Sequence, residues 1–190
     1  MSLDIRPVEP DGFADIAALF GPNGANSGCW CMWWRISGRD WTTSGSASNR
    51  AGFEAVVRSG QPAGLLGYDE GTPVGWCAVA PRTAYPRLLR SRTLRLTEPD
   101  DPGVWSVTCF FINRHHRRQG VSHALLCAAV GYAAGRGATA VEGYPVDTSG
   151  DRRPSGDLFT GTVGLFAGAG FTEYARPATG RRVVMRTWPP

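Results

Sequence analysis

The sequence predicts a single α/β domain in which strands and helices alternate along the chain. Its 190 residues are 42% hydrophobic, which is enough for one substantial core. Apolar runs at 63–68 and 74–80 flank Asp69-Glu70-Gly71, which is a hairpin signal. An apolar strand at 104–112 precedes an apolar helix at 121–134, and this succession favours a sheet covered by helices.

The remaining elements follow in the same alternating order. A strand near residue 3 leads to a helix over 13–20, because apolar residues recur there on one helical face. Glycines at 135 and 137 end the helix that begins at Val121. A strand at 141–146 and a closing strand at 183–187 complete the elements that the pattern predicts.

Composition limits the compartment and the class of partner. The first 20 residues carry five charged side chains, so they do not form a signal-peptide core, and no apolar run reaches membrane-spanning length. We therefore expect a cytoplasmic protein that does not act at a membrane, with its five cysteines reduced. All 20 basic residues are arginine, which is typical of a GC-rich bacterial genome, and the net charge of +4 does not demand a nucleic-acid partner.

The turn between strand 104–112 and helix 121–134 predicts an anion site. The helix start leaves unpaired backbone N–H groups near residues 118–122, with the positive end of the helix dipole behind them. Gly120 permits close backbone approach, and Arg117 and Arg118 add fixed charge, so a diphosphate fits better than a single carboxylate.

The pattern Arg117-x-x-Gly120-x-Ser122 resembles the Arg/Gln-x-x-Gly-x-Gly/Ala signature of the GNAT superfamily of acyl-CoA-dependent N-acyltransferases. It departs from that signature at Ser122, where the family has Gly or Ala. The resemblance extends over nearly the whole chain in the family's order of elements, and it implies that the family's last helix lies within 157–171. It implies one GNAT domain over residues 1–190, with a mixed, mostly antiparallel sheet that splays near its fourth strand and carries helices on both faces.

The resemblance also implies a co-substrate and the groups that hold it. Acetyl-CoA, or another acyl-CoA, would bind with its thioester against the end of the fourth strand and its pyrophosphate in the basic turn. The residues implied for this binding are Phe110, Phe111, Ile112, Arg117, Arg118, Gln119, Gly120, Val121, Ser122 and His123.

Residues 27–58 form a segment without a generic counterpart in the superfamily, and it is similar to one found in an uncharacterised bacterial branch. It contains Cys29-Trp30-Cys31-Met32-Trp33-Trp34-Arg35. The Cys-x-Cys spacing is poor for zinc, so we expect no metal. The tryptophans either fill core or line the acceptor side of the cleft. The residues predicted for acceptor binding are Trp30, Trp33, Trp34, Arg35, Arg82 and Tyr85.

The implied reaction is attack of an amine on the thioester. Glu142 is the candidate base, with Asp147 and His116 as alternatives, although Glu142 could equally be a structural partner for an arginine. The family often uses a tyrosine in its last helix as general acid, and Phe166 stands at that position here. Tyr144, Thr160, Thr162 or a water could take the role.

Three functions follow from these patterns. The first is transfer of an acetyl group to a primary amine of a small molecule or a peptide N-terminus, with Glu142 and Tyr144 as catalytic residues. The second is an acyl-CoA-binding regulatory module with little or no turnover. The third is a nucleic-acid-binding protein that uses a cluster of arginines, which we instead interpret as a solvated face. That cluster comprises Arg82, Arg87, Arg90, Arg92 and Arg95. Assembly as a homodimer remains open.

Overall fold

The computed structural model of the chain describes residues 3–94, 96, 100–149, 154–178, 180 and 182–188. The described strands are β1 (Leu3–Pro7), β2 (Leu65–Asp69), β3 (Thr72–Pro81), β4 (Val104–Ile112), β5 (Ala140–Gly143), β6 (Thr172–Ala175) and β7 (Val184–Thr187). The described α-helices are α1 (Phe13–Phe20), α2 (Gly38–Thr43), α3 (Ser46–Arg58), α4 (Pro86–Leu89), α5 (Val121–Ala134) and α6 (Val163–Gly168).

The seven strands form one sheet in the order β1-β2-β3-β4-β5-β7-β6. Every neighbouring pair is antiparallel except β4 and β5, which run parallel and are connected through α5. This arrangement confirms the predicted mixed, mostly antiparallel sheet.

Helices cover both faces of the sheet. On one face, α5 and α6 pack through residues such as Leu125, Leu126 and Phe166 against the sheet. On the other face, α1, α3 and the loop around residue 30 form a second cluster that is rich in aromatic rings. The sheet is apolar on both faces for this reason, and β3 is buried along nearly its whole length.

The strand at 104–112 and the helix at 121–134 have the bounds that their sequence pattern predicts. The predicted helix within 157–171 is much shorter. Gly161 adopts a left-handed conformation with φ of 84°, and the helix begins only after Thr162, whose hydroxyl accepts a hydrogen bond from the amide of Leu165. The expected strand at 141–146 ends at Gly143, and Val146 makes only isolated bridges to Thr162 and Arg182.

The sheet opens beside β4. Residues Val104 to Val107 pair with β5, whereas the part of β4 from Thr108 to Ile112 extends beyond the end of β5. A bulge accompanies the opening, because Ala78 pairs with Cys109 while Val79 pairs with Val107, which makes Thr108 the extra residue. The splay near the fourth strand therefore has a structural cause in the unequal lengths of two parallel strands.

Candidate active site

A cavity of about 690 Å³ lies against the free half of β4. This volume is in the usual range of ligand pockets, roughly 300 to 1,000 Å³. Its walls come from β4, the basic turn before α5, the loop after α1, Trp41 and the segment before α6. The lining residues are Ala25, Asn26, Ser27, Cys29, Cys31, Trp33, Trp34, Trp41, Cys109, Phe110, Phe111, Ile112, Arg117, Ser122, Gly156, Asp157, Leu158, Phe159, Gly161, Thr162 and Leu165.

The basic turn supplies the polar end of the cavity. The first hydrogen bond of α5 runs from the amide of Ala124 to the carbonyl of Gly120, so the three preceding amides have no acceptor within the helix. Arg117 lies at the cavity wall and its Nε donates to the carbonyl of Ile112 at 3.2 Å. A phosphate group suits this turn. It would meet the free amides at the N-terminus of the 14-residue helix α5 and the guanidinium of Arg117.

Backbone conformation shapes this turn. Arg118 and Gly120 are both left-handed, with φ of 62° and 81°, and they bracket Gln119, whose side chain donates to the carbonyl of His115. Of the turn residues predicted from sequence, only Arg117 and Ser122 line the cavity. Val121 is buried in the core, and the ring of His123 lies 3.1 Å from the carbonyl oxygen of Gly168, so these two side chains support the turn from behind.

The free half of β4 forms the floor of the cavity, which is lined by Phe110, Phe111 and Ile112. The amide of Phe110 is already engaged, because it donates to the carbonyl of Phe159 at 2.6 Å. The segment before α6 therefore fills part of the splay and takes a main-chain donor that the fourth strand would offer to a thioester.

The loop after α1 forms the opposite wall and is held in a strained conformation. Trp30 and Cys31 are consecutive left-handed residues, with φ of 43° and 57°, and each costs on the order of 1–3 kcal/mol. The surrounding contacts maintain this geometry. The Trp30 indole donates to Ser46 Oγ at 3.1 Å, and Asn49, which is buried, donates to the carbonyl of Gly28 at 3.0 Å.

Three tryptophans line the aromatic wall. Trp33 packs edge-on against Trp41, with ring centroids 4.9 Å apart, and against Trp34, with centroids 6.3 Å apart. Trp33 and Trp34 were predicted for this wall, whereas Trp41 was not. Its isolated position in a polar stretch of sequence gave no periodic signal, and only the short helix α2 brings it to the cavity.

Three cysteines from two distant segments meet at the same wall. Cys29, Cys31 and Cys109 all line the cavity, and the Trp76 indole donates to Cys31 Sγ at 3.0 Å. A hydrogen bond from the Cys109 thiol, together with this indole and the charge of Arg35, holds the pKa of Cys31 below its ordinary value despite burial. The same contact and burial raise the pKa of Cys109.

Four of the residues predicted for acceptor binding lie outside the cavity lining, which corrects their assignment. Trp30 is 4% exposed and packs against Phe13 and Phe20 in the core. Arg35 lies over the ring of Tyr85, and Tyr85 itself is 1% exposed. Arg82 is buried in an ion pair. The sequence could not separate these side chains from Trp33 and Trp34, because the division depends on packing of the whole segment.

Glu142 lies below the splay in a buried network. Its Oε2 accepts from Arg82 NH1 at 2.9 Å and from the Tyr144 hydroxyl at 3.0 Å, and its Oε1 accepts from Nε and NH2 of Arg186. Ser106 Oγ lies 2.8 Å from the Tyr144 hydroxyl. Burial, followed by the nearby Glu142 charge, raises the pKa of Tyr144 well above its ordinary value.

This geometry favours the structural role that the sequence left open for Glu142. A carboxylate offers about four acceptor positions, and four donors already occupy this one. The side chain is 1% exposed and neither Glu142 nor Tyr144 lines the cavity. The alternative bases are also engaged elsewhere, since Asp147 pairs with Arg176 at 2.6 Å and His116 lies 3.4 Å from Asp69.

Packing explains why a phenylalanine, Phe166, stands where the resemblance implies a tyrosine as general acid. Phe166 is completely buried and contacts the rings of Phe110 and Phe171. It also faces Gly143, where an added Cβ would come within 1.9 Å of its ring and therefore clash. Thr162 lines the cavity and its oxygen accepts from an amide, so its O–H is free to donate toward the cavity.

Other predicted features can now be placed. Arg82 and Arg87 do not belong to a solvated basic face, because Arg82 is buried and Arg87 lies over the ring of Trp33 at 3.5 Å; Arg95 lies outside the described residues. Within the described ranges, no helix is both long and apolar enough to cross a membrane. Across the same residues, no three potential metal ligands gather in one place.

The family assignment rests on comparison of sequences. The profile of the acetyltransferase (GNAT) family matches residues 29–153, which is more than half of the chain and includes β4, the basic turn and α5. The chain therefore belongs to the GNAT acetyltransferase family. Among curated proteins, none matches this chain.

Solved structures show the same fold. An N-acetyltransferase from Staphylococcus aureus Mu50 has a TM-score of 0.57 at 12% identity and covers 100% of both chains. PaiA N-acetyltransferase from Thermoplasma acidophilum, in complex with coenzyme A, has a TM-score of 0.54 at 12% identity and covers 99% of both chains. YncA from Salmonella typhimurium, with acetyl-CoA, has a TM-score of 0.56 at 14% identity and covers 100% of this chain and 95% of its own.

Proposed function

We propose that the protein transfers an acetyl group from acetyl-CoA to an amine that enters the cavity from the aromatic side. The observation that carries this proposal is the position of the cavity. It connects the phosphate-binding turn at Arg117 and Ser122 with the wall formed by Trp33 and Trp34, along the free half of β4. The family of the chain and the coenzyme complexes of similar folds support the choice of acetyl-CoA.

The residues present fit this co-substrate. The free amides at the start of α5 and the guanidinium of Arg117 would hold the pyrophosphate. Phe111 and Ile112 would line the path of the pantetheine arm beside β4. Bound acetyl-CoA supplies an activated thioester, and the protein contributes its orientation and the exclusion of water.

We assign the removal of the amine proton to residues that line the cavity. The amine must reach the thioester unprotonated, and the cavity wall contains two groups that can accept a proton, the carboxylate of Asp157 and the thiol of Cys31 in its thiolate form. The CoA thiolate can leave without a general acid, because an ordinary thiol has a pKa of only about 8.5. The hydroxyl of Thr162, which lines the cavity, would donate a hydrogen bond to it.

Release of free thiol from acetyl-CoA tests the proposal. The purified protein would be incubated with acetyl-CoA and a panel of amines, and both the thiol and the acetylated amine would be measured. Equal amounts of thiol and N-acetyl product support acetyl transfer. Thiol release without acetylated amine would instead identify a hydrolase.

The second candidate, an acyl-CoA-binding module without turnover, is favoured by one observation, the buried Phe166 at the position of the usual acid. Calorimetric titration separates the two functions. Tight binding of CoA together with no thiol release for any amine would establish the binding module and exclude the transferase.

A further inference from the structure

The wall around Trp33 and Trp34 contains buried hydrogen-bond donors that have no acceptor. Among the residues that the structure describes, the Trp34 indole nitrogen, Arg87 NH1 and Arg182 Nε are buried and make no hydrogen bond. Trp34 is only 7% exposed. Each such donor costs about 1–3 kcal/mol, more when it is charged, so three of them in one region require an explanation.

The two arginines flank the indole pair. Arg182 lies over two rings of the cavity wall, with its guanidinium carbon 5.8 Å from the centroid of Trp34 and 5.3 Å from that of Phe159. Arg87 lies over Trp33 at 3.5 Å, and its amide donates to the carbonyl of Trp34. Local structure fixes both, since Arg182 bridges to Val146 and Arg87 is in α4.

Neither guanidinium group has an ion-pair partner among the residues that the structure describes. No carboxylate in the described part of the chain lies within ion-pair distance of Arg87 or Arg182. Burial lowers the pKa of both groups, and the more distant Asp157 only partly offsets this for Arg182. Desolvated arginines without a counter-charge are unfavourable in the free protein, and an anion brought by a ligand would satisfy them.

We propose that the acceptor is a small anionic amine, and that its carboxylate or phosphate binds at the Trp33–Trp34 wall. Arg182 and Arg87 do not line the cavity themselves but lie against the rings that do, so they supply the positive charge that attracts the anion to this wall. This inference rests on the proposed acetyl transfer and specifies the class of acceptor. It also changes the role of the aromatic wall. Its rings already face two cations, so the wall attracts negative rather than positive groups.

Paired substrates and three variants test the proposal. The substrates are glycine with glycinamide, and 2-aminoethyl phosphate with ethanolamine, so each pair differs in the anionic group. The variants are Arg182→Met, Arg87→Met and Arg90→Met. Arg90 is an exposed arginine directly after α4 and serves as the matched control. The basicity of each amine cancels when a variant is compared with the wild type.

We expect Arg182→Met to lower kcat/KM for one or both anionic amines by about 10- to 100-fold, mainly through KM, and to leave the neutral amines within about threefold. Arg87→Met should act in the same direction, whereas Arg90→Met should change nothing. The member of the anionic pair that loses more activity identifies carboxylate or phosphate as the group bound. An unchanged ratio of anionic to neutral substrate in both Arg182→Met and Arg87→Met would overturn the proposal.

A binding measurement keeps this test independent of turnover. N-acetylglycine carries the same carboxylate and cannot react further, so its affinity is measured by calorimetry in the presence of CoA. Binding to the wild type that is lost in Arg182→Met and retained in Arg90→Met supports the anion site even if no amine is acetylated. The same titration with 2-acetamidoethyl phosphate tests a site that takes phosphate, and a wild type that binds neither anion more tightly than N-acetylglycinamide would contradict the proposal.

Discussion

Glu142 shows how one residue can satisfy the sequence signal for a catalytic carboxylate and still serve the fold. Its strand position beside the splay is where a base would be sought. The structure surrounds it with Tyr144, two residues further along the chain, and with Arg82 and Arg186, which are 60 and 44 residues away. No local pattern predicts the two arginines, because only the complete sheet brings them to Glu142.

The variant Glu142→Gln should therefore act mainly on stability. Removing the carboxylate charge that Arg82 and Arg186 share breaks a buried ion network, and such losses cost about 3–5 kcal/mol. We expect a clear fall in Tm and unchanged CoA affinity in the protein that remains folded. Glu54→Gln, which breaks the surface pair with Arg58, is the control and should leave Tm nearly unchanged. A wild-type Tm combined with loss of one limb of the pH–rate profile would restore Glu142 as the base.

Cys31 is expected to remain a thiolate at lower pH than an ordinary thiol. A lowered pKa means that the thiolate persists as the pH falls through the range in which ordinary thiols become protonated. Alkylation with iodoacetamide, followed by peptide mass mapping, should show Cys31 still reacting at a pH where glutathione in the same solution has become slow. Trp76→Phe removes the indole donor and should shift the Cys31 profile to higher pH. Coincident profiles for Cys31 and glutathione would exclude the effect.

At the scale of elements, the turn before α5 depends on one backbone conformation. Gly120 has φ of 81° and open space around it, so an added side chain meets strain from the backbone but no clash. Gly120→Asp should fold with a small loss of stability, of about 1–2 kcal/mol, and should lose most of its CoA affinity because a negative charge then lies beside the phosphate-binding amides.

The loop after α5 offers a matched control for this variant. Gly137 has φ of 81° and equally open surroundings, and it lies beyond the opposite end of the helix that begins at the turn. Gly137→Asp should therefore have a comparable loss of stability and bind CoA with wild-type affinity. Calorimetric titration of both variants decides the question, and equal CoA affinities would show that the turn does not bind the phosphates.

Elements with strong local signals were predictable from the sequence, and those that depend on distant contacts were not. The bounds of β4 and α5 follow from an unbroken apolar strand and an apolar helix limited by glycines. The last predicted helix lost more than half its length, because Gly161 and the capping Thr162 interrupt it. Among the residues predicted for the site, Phe110 to Ile112, Arg117, Ser122, Trp33 and Trp34 line the cavity, and their roles stay predictions. Cys31, Cys109, Trp41 and the segment before α6 were not predicted for it, since only the tertiary fold brings them there.

At the scale of the whole molecule, the cavity results from a mismatch within the sheet. β4 has nine residues and its parallel neighbour β5 has four, so pairing stops halfway along β4. Helices on both faces close the sheet elsewhere, which leaves this gap as the place where a ligand can reach main-chain groups of a central strand. The basic turn leads into α5, which packs on one face of the sheet, whereas Trp33 and Trp34 pack in a separate cluster with Ala80 and Tyr85.

The hydrogen bond between the Phe110 amide and the Phe159 carbonyl also has a kinetic consequence, because it must break before a ligand can bind this amide. A thioester that takes the Phe110 amide has to compete with an acceptor that the protein itself supplies at 2.6 Å. The apparent affinity for acetyl-CoA then equals the intrinsic affinity multiplied by the fraction of molecules in which residues 156–161 have moved away from β4. In stopped-flow mixing with acetyl-CoA, the observed rate should reach a plateau at high concentration, set by the opening of that segment. A rate that rises linearly without limit would mean that Phe159 and the co-substrate never compete for the same amide.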